Sequence, residues 1–345
     1  MSSRDHERWA TRPVGRRLAQ IGIHPLAVPT PFAIGAVNAY LLAGDPVTLI
    51  DTGPNLATSL VALSRLLAGV GYAVEDIEVL VITHTHADHL GLTALVAERA
   101  GAEVCALDRA ASFIENVDRE MAAEDDFAAR LMRRHGIDQD VTDALRSVAT
   151  IVRGLAAPAA VTRPLSDGDE VVLGGRRLRV LHRPGHSPAD MVLHDLDNRV
   201  LVAGDHLLSR VSSNALVTRP LDGASQAGRT RPLLDYRRSL LATRELDVDL
   251  VLGGHGPPVQ DHRALIDERL HRQSLRAQRI LELLSNGPRT AHELALDIWG
   301  RVAFTQAYLT VSEVLGHLDL LMSDGLVTED RSGPVIRFAH TLRKS

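Results

Sequence analysis

His84, His86, Asp88 and His89 place three imidazoles and a carboxylate in one short stretch, Thr83-His84-Thr85-His86-Ala87-Asp88-His89-Leu90-Gly91. The stretch follows an apolar, β-branched run over residues 77–82, broken only by Glu78, and precedes a helical pattern at Leu92, Leu95 and Val96. It therefore reads as a strand, a sharp turn and a helix N-terminus. On extended chain His84 and His86 point the same way, while Asp88 and His89 leave the turn in another direction and are free to serve a second ion. Imidazole nitrogen and carboxylate oxygen are the usual ligands of zinc and iron. A polar surface turn would account for any one of these residues, but not for the H-x-H-x-D-H cluster together.

The elements that would position this cluster repeat one theme. Strand patterns run over 20–28, 36–43 and 47–50 as a meander or hairpin series, and the last ends in Asp51-Thr52-Gly53. Asp51 either caps the amphipathic helix pattern of Leu56, Leu60, Leu63 and Leu67 or, given the cluster, hydrogen-bonds a metal-bound histidine. A buried strand at 102–106 carries Cys105, read as a core residue because its neighbours are apolar. Strands return at 170–173 and 178–183 around Gly174-Gly175, the second ending in Pro184-Gly185-His186-Ser187-Pro188. Further strands over 191–194 and 199–203 lead to Gly204-Asp205-His206, and a strand at 250–252 ends in Gly253-Gly254-His255. Ligand-type residues thus stand at five strand tips, which makes a constellation of signals that are individually weak.

Two segments break the strand rhythm. From Arg109 to about Ala157 the pattern is helical and charged, a helical insertion expected to lie over the metal face as a cap or to support it from the side; His135 within it is assigned to solvent. Between Leu207 and Pro232 lies a Ser-, Gly- and Arg-rich stretch with little periodicity, read as a substrate-side loop or a mobile surface loop. His206, beside Asp205, is either a donor behind the metal ligands, a substrate contact or a structural histidine.

Composition removes other chemistries. At 345 residues the chain has room for two domains, and 45% hydrophobic with 23% charged residues suits a globular protein. The net charge of −5 disfavours a polyanion-binding surface. With Cys105 as sole cysteine, neither an intrachain disulfide nor a thiolate metal cage can form, which fits a reducing cytoplasm. The single lysine, Lys344, excludes a P-loop and leaves no plausible Schiff base. Arg4, Arg8, Arg12, Arg16 and Arg17 are followed by no apolar signal-peptide core, so neither export nor membrane insertion is expected.

The order Asp51, His84 to His89, His186, Asp205 and His255 resembles the five motifs of the metallo-β-lactamase fold superfamily, over about residues 21–270. The resemblance implies an α/β fold, an αββα sandwich with a binuclear site at one edge. It implies His84, His86 and His186 on one metal, Asp88, His89 and His255 on the other, Asp205 bridging and Asp51 behind the ligands. Two Zn2+ per chain are expected, with iron or manganese as alternatives. Asp205 stands where the commonest true β-lactamases carry cysteine, so the hydrolase branches, glyoxalase II-like thioesterases, lactonases and nucleases, are the closer likeness. Pro184-Gly185-His186-Ser187-Pro188-Ala189-Asp190 lacks the second Gly-His pair of glyoxalase II-like sequences, which weakens any transfer of the glutathione substrate.

Residues 1–262 are accordingly expected as the catalytic domain and 263–345 as a second one. Its long helix over 264–284, its Thr290-Ala291-His292-Glu293 capping box, a helix over 310–324 and a hairpin around Arg331-Ser332-Gly333 resemble a winged helix. Residues 274–345 hold eight basic and eight acidic residues, and the third helix carries Glu313, Asp319 and Asp324 but no arginine. Phosphate would repel such a helix, so a packing or dimerisation module is expected rather than a nucleic-acid reader. The chemistry expected is hydrolysis of a small ester-like bond, thioester or lactone, by a metal-bridging hydroxide, with Asp88 as the catalytic residue that orients it and accepts its proton. The alternatives are an endoribonuclease or phosphodiesterase, an iron-containing redox relative, and a DNA-binding ligand sensor with a degenerate metal domain. A small-molecule substrate, a cytoplasmic location and a candidate homodimer complete the expectations.

Overall fold

The computed structural model describes residues 13–221 and 229–341. Arg4, Arg8, Arg12, Lys344 and residues 222–228 of the Arg-rich stretch lie outside the described residues. The first sheet has the order β1-β2-β3-β4-β5-β6, formed by Ile23–Val28, Val37–Leu42, Thr48–Ile50, Val79–Ile82, Glu103–Leu107 and Arg163–Leu165. Its first three strands are an antiparallel meander, and β3 to β6 run parallel. The second sheet, β7 (Glu170–Leu173), β8 (Arg176–His182), β9 (Met191–Asp195), β10 (Val200–Gly204) and β11 (Leu250–Gly253), is antiparallel except for the parallel pair β10 and β11.

Alternation along each strand makes the layers, since successive side chains leave opposite faces. Leu42, Ile50 and Val81 join Val180, Leu193, Val202 and Leu252 in one core between the sheets. Their neighbours Leu41, Leu49 and Leu80 face the other way, under α2 (Ala57–Gly69) and α4 (Thr93–Ala100), which follow α1 (Pro13–Gln20) and the short α3 (Ala87–Leu90). On the far side Val192, Leu201 and Val251 meet Leu233, Tyr236 and Leu240 of α8 (Pro232–Arg244) and Ile266 of α9 (His262–Leu284). Cys105 is buried in the inter-sheet core, where burial pushes its thiol up to about 12, as its apolar neighbours imply.

The helical insertion comprises α5 (Asp108–Glu115), α6 (Val117–Arg134) and α7 (Gln139–Arg153). His135, expected in solvent, is 1% exposed and stacks on Phe338 with ring centroids 5.9 Å apart. The expectation failed because the partner lies two hundred residues away: the end of α6 docks on the C-terminal elements. Those are α10 (Ala291–Trp299), α11 (Val302–Thr305), α12 (Ala307–Ser323) and the hairpin β12 (Val327–Asp330) and β13 (Arg337–His340). Ile336 N–H donates to Arg134 O at 2.8 Å and His292 N–H to His135 O at 3.1 Å. Leu131, Met132 and Ile137 share one apolar cluster with Leu294, Val311, Leu315 and Phe338.

The Thr290 capping box forms, with Glu293 N–H donating to Thr290 Oγ1 at 3.1 Å and Thr290 N–H to Glu293 at 2.8 Å. Eleven of the seventeen residues of α12 are buried, Asp319 among them, where it pairs with Arg229. The acidic face that the spacing suggested is therefore partly internal. Among the described residues no helix is long and apolar enough to cross a membrane.

Candidate metal centre

Five strand ends on one edge of the sandwich deliver the polar residues. Asp51 follows β3, His84 to His89 follow β4, His186 lies in the loop from β8 to β9, Asp205 follows β10 and His255 follows β11. The ladder between β10 and β11 shifts register between Val202 and Gly204, which carries Asp205 off the sheet toward the turn after β4. Gly204 has φ +46°, and a Cβ there would stand 2.7 Å from Thr83 Oγ1, so only glycine lets these strand ends meet. At Gly254 a Cβ would lie 2.4 Å from Asp205 Oδ1 and 2.6 Å from His89 Cε1.

The structure brings seven of the expected residues together in three overlapping groups: His84, His86 and His186; His84, His89 and Asp205; and Asp88, His89 and His255. Within each group the potential ligand atoms lie within 4.8 Å of one another. His86 Nδ1 is 3.0 Å from His84 Nε2 and 2.9 Å from His186 Nε2. Asp205 reaches toward His89, His186 and His255 at 3.5, 3.6 and 3.6 Å, and His255 Nε2 lies 3.3 Å from Asp88 Oδ2.

Outer hydrogen bonds decide which ring nitrogen faces inward. His89 Nδ1 is 2.7 Å from Asp51 Oδ2, His186 Nδ1 is 3.1 Å from Asn214 O, and His255 Nδ1 is 2.9 Å from Ala36 O. These acceptors place a proton on Nδ1 and turn Nε2 toward the cluster. Thr83 Oγ1 donates to Asp51 at 2.8 Å and so accepts from His84 Nδ1 at 3.0 Å, giving His84 the same orientation. Asp51 does not cap α2, whose N-cap is Leu56; at φ 59° its carboxylate instead accepts from Thr83 N–H and orients His89.

Charge at this edge is arranged to receive cations. Burial and the neighbouring imidazoles push His84 well below its usual range, and burial with His186 brings His86 down to about 3, so both are neutral rings with a free lone pair. Against the opposing pull of burial, Asp51, Asp205 and Asp88 hold His89 well above it. Burial likewise opposes His255, His89 and His186 at Asp205, yet they keep its carboxyl well below the usual carboxylate range. Buried His89 Nε2 and Asp205 Oδ1 have no hydrogen-bond partner, although unpaired buried polar atoms are costly. Neutral imidazoles, converging carboxylates and these two orphaned atoms fit divalent metal ions of the zinc or iron type.

His206 is not part of the cluster. Its Nε2 lies 2.8 Å from Thr243 Oγ1, its ring abuts Tyr236, and it is fully buried under α8. The spacing of motifs also missed residues that hold the edge together. Asn38 Nδ2 donates to Gly253 O and Gly256 O at 3.0 and 2.9 Å, and the Tyr40 hydroxyl donates to Gly253 O at 2.7 Å, tying β2 to the His255 loop. A polar Asn in an otherwise apolar strand, Val37–Leu42, was the available signal.

The cluster floors a cavity of about 500 Å³. Phe113, Met121 and Val152 of the insertion wall it, as do Leu216 and Leu221 of the stretch after Asp205, so the insertion covers the cluster and part of the irregular loop faces the same space.

This fold and this edge define a metallo-hydrolase of the two-sheet type. The chain belongs to the metallo-beta-lactamase superfamily, whose profile matches residues 33–255. It is similar to the probable metallo-hydrolase YqjP of Bacillus subtilis, 33% identical over 91% of this chain and 96% of that protein. Among solved structures it resembles the metallo-beta-lactamase family protein TTHA1429 of Thermus thermophilus, with TM-score 0.78 and 31% identity over 93% of this chain and 99% of that one. A shorter stretch, 41 residues or 12% of this chain, is 51% identical to the human acyl-coenzyme A thioesterase MBLAC2, covering 15% of that protein.

Proposed function

We propose that the chain is a binuclear metallo-hydrolase cleaving a thioester or lactone of a small acyl compound. The observation that carries this reading is the cavity: His86, Asp88, His186, Asp205 and His255 converge at its floor, while its remaining walls are largely apolar. His84, His86 and His186 would hold one ion and Asp88, His89 and His255 the other, with Asp205 between them and Asp51 fixing His89. Zinc is the expected occupant, and iron and manganese suit the same donors. When bound, the ions supply Lewis-acid polarisation of the carbonyl and acidify water. Asp88, kept ionised by His89 and His255 in spite of burial, orients the attacking water, accepts its proton and returns it to the leaving thiol or alcohol. The apolar walls seat the acyl portion and keep bulk water from the ester carbonyl.

The thioesterase name of one relative supports the thioester over the lactone. The burial of α12 weighs against the endoribonuclease and DNA-sensor readings, because a recognition helix must be free to enter a groove. A homodimer and a cytoplasmic setting remain part of the proposal. The test is elemental analysis of the purified protein followed by a panel of thioesters, lactones and single-stranded RNA, each with and without chelator. Metal-dependent hydrolysis of the thioesters, lost in Asp88→Ala, is the expected result. Hydrolysis untouched by metal removal, or cleavage confined to RNA, would overturn the reading.

A further inference from the structure

The cavity over the metal cluster continues past Val152. A second cavity of about 480 Å³ shares Phe32, Met121, Glu124, Asp125, Val152, Tyr308 and Leu309 with the first and runs between α6, α7 and the start of α12. Its far walls are Ala128, Met132, Leu145, Val148 and Ala149. Val148 on its own wall and Leu309 at the junction with the first cavity are large apolar side chains that are 57% and 37% exposed. The carboxylates on its wall are paired: Glu124 with Arg219 at 3.0 Å and Asp125 with Arg153 at 3.4 Å. Another exit from the metal-facing cavity, past Ser187 and Pro188, is the more polar one and carries Asp108, Arg109, Ser112 and His182 beside Leu216 and Leu221. Bond cleavage at the cluster has no use for the apolar arm, whereas a substrate with one apolar and one polar half would fill both.

We propose that the apolar arm between α6, α7 and α12 is the acyl-chain subsite, which takes an unbranched alkyl tail and gives the enzyme a preference for medium and long chains. The polar exit then receives the leaving group. This inference rests on the thioesterase reading of the metal centre. Its occupant follows from continuity: a chain attached to a carbonyl over Asp88 has one apolar path to follow, past Met121 and Val152 to Val148. Lining from both the insertion and the C-terminal unit also means that these two elements, and not the strand-tip motifs, would set chain length.

The experiment uses the full-length, metal-loaded protein and a series of saturated acyl thioesters of one thiol, from two to sixteen carbons. For wild type kcat/KM should rise about two- to fourfold per added methylene until the arm is full, the increment expected for burying one CH₂. Ala149→Trp, on the half-buried wall of α7, should end the rise several carbons earlier, while two- and four-carbon thioesters keep their rates within about twofold. Val148→Glu, at an exposed position, should depress only the longest chains. A flat wild-type profile, or an unchanged profile in both variants, overturns the subsite. If no thioester is hydrolysed, the functional reading fails, and binding of a fluorescent fatty acid decides the subsite separately: displacement by decanoate and loss in Ala149→Trp support it, and absence of binding overturns it. Dimerisation abolished by Val148→Glu, with no effect on chain length, would assign the Val148 face to a second copy and likewise overturn it.

Discussion

Asp319 offers the sharpest perturbation of how this chain is held together. Its carboxylate is without exposure and accepts from Arg229 Nη1 and Nη2 at 2.5 and 2.7 Å, with Arg231 Nε at 3.9 Å. Burial pushes the Asp319 carboxyl up in spite of both guanidinium groups, so desolvation offsets much of the pair's attraction. Removing one partner leaves the other charge uncompensated, and Asp319→Ala should destabilise by about 3–5 kcal/mol. Unfolding entropy of about 2.1 cal/mol/K per residue gives roughly 0.7 kcal/mol/K for 345 residues, so the melting temperature should drop by about 4–7 °C if the chain unfolds as one unit. The double replacement Arg229→Met with Asp319→Leu removes both charges while keeping volume, and should return to within about 1 kcal/mol of wild type. Thermal and urea unfolding of wild type, both single variants and the double variant make the measurement. The reasoning is refuted if the single variants each lose less than about 1 kcal/mol, or if the double variant is worse than either.

Two further outcomes are expected. Burial, with Arg229, Arg134 and Arg331, depresses His135 from its ordinary 6.5 to about 3. The unfolded chain therefore takes up a proton below about pH 6.5 that the folded chain refuses until about pH 3, so stability is lost as pH falls through that window, by an amount on the order of 5 kcal/mol. His135→Gln should flatten this acid limb of melting temperature against pH; parallel limbs would disprove it. Gly254→Ala should keep the fold, because the two severe contacts are with the side chains of Asp205 and His89 and the Gly204 backbone is 3.3 Å away, yet lower metal content and reduce hydrolysis by about tenfold or more. Full metal occupancy with wild-type rates would show that the two side chains yield without cost.

What was legible in the sequence and what was not divide by range. The strands leading to Asp51, His84, Asp205 and His255 were readable because an apolar run followed by a ligand-type residue is local information. The edge strand β6, Arg163–Leu165, was not, since three residues containing Pro164 carry no period. Helix α8 was also missed, hidden behind the irregular stretch that precedes Pro232. His135 went to solvent on its polar neighbours, because nothing nearby announced Phe338. Likewise, the position of His206 beside Asp205 said nothing of Thr243, which claims its ring from α8. Asn38 and Tyr40 hold the His255 loop by hydrogen bonds that join the two sheets, and no motif spacing contains them.

The docking of α6 on the C-terminal hairpin also has a consequence for the order in which the molecule can be made. Residues 131–137 emerge from the ribosome long before Ile336 and Phe338, the groups that bond and stack against Arg134 and His135. Until the C-terminal elements from Ala291 onward are synthesised, the underside of the cap lacks most of its partners, and Leu131, Met132 and Ile137 are left largely uncovered. The strand-tip cluster can assemble early from residues 51–255, but Tyr308 and Leu309 join the wall of the cavity above it only later. Stalled or prematurely ended chains would accordingly present an open cluster and an adhesive helix, which makes them natural clients of chaperones.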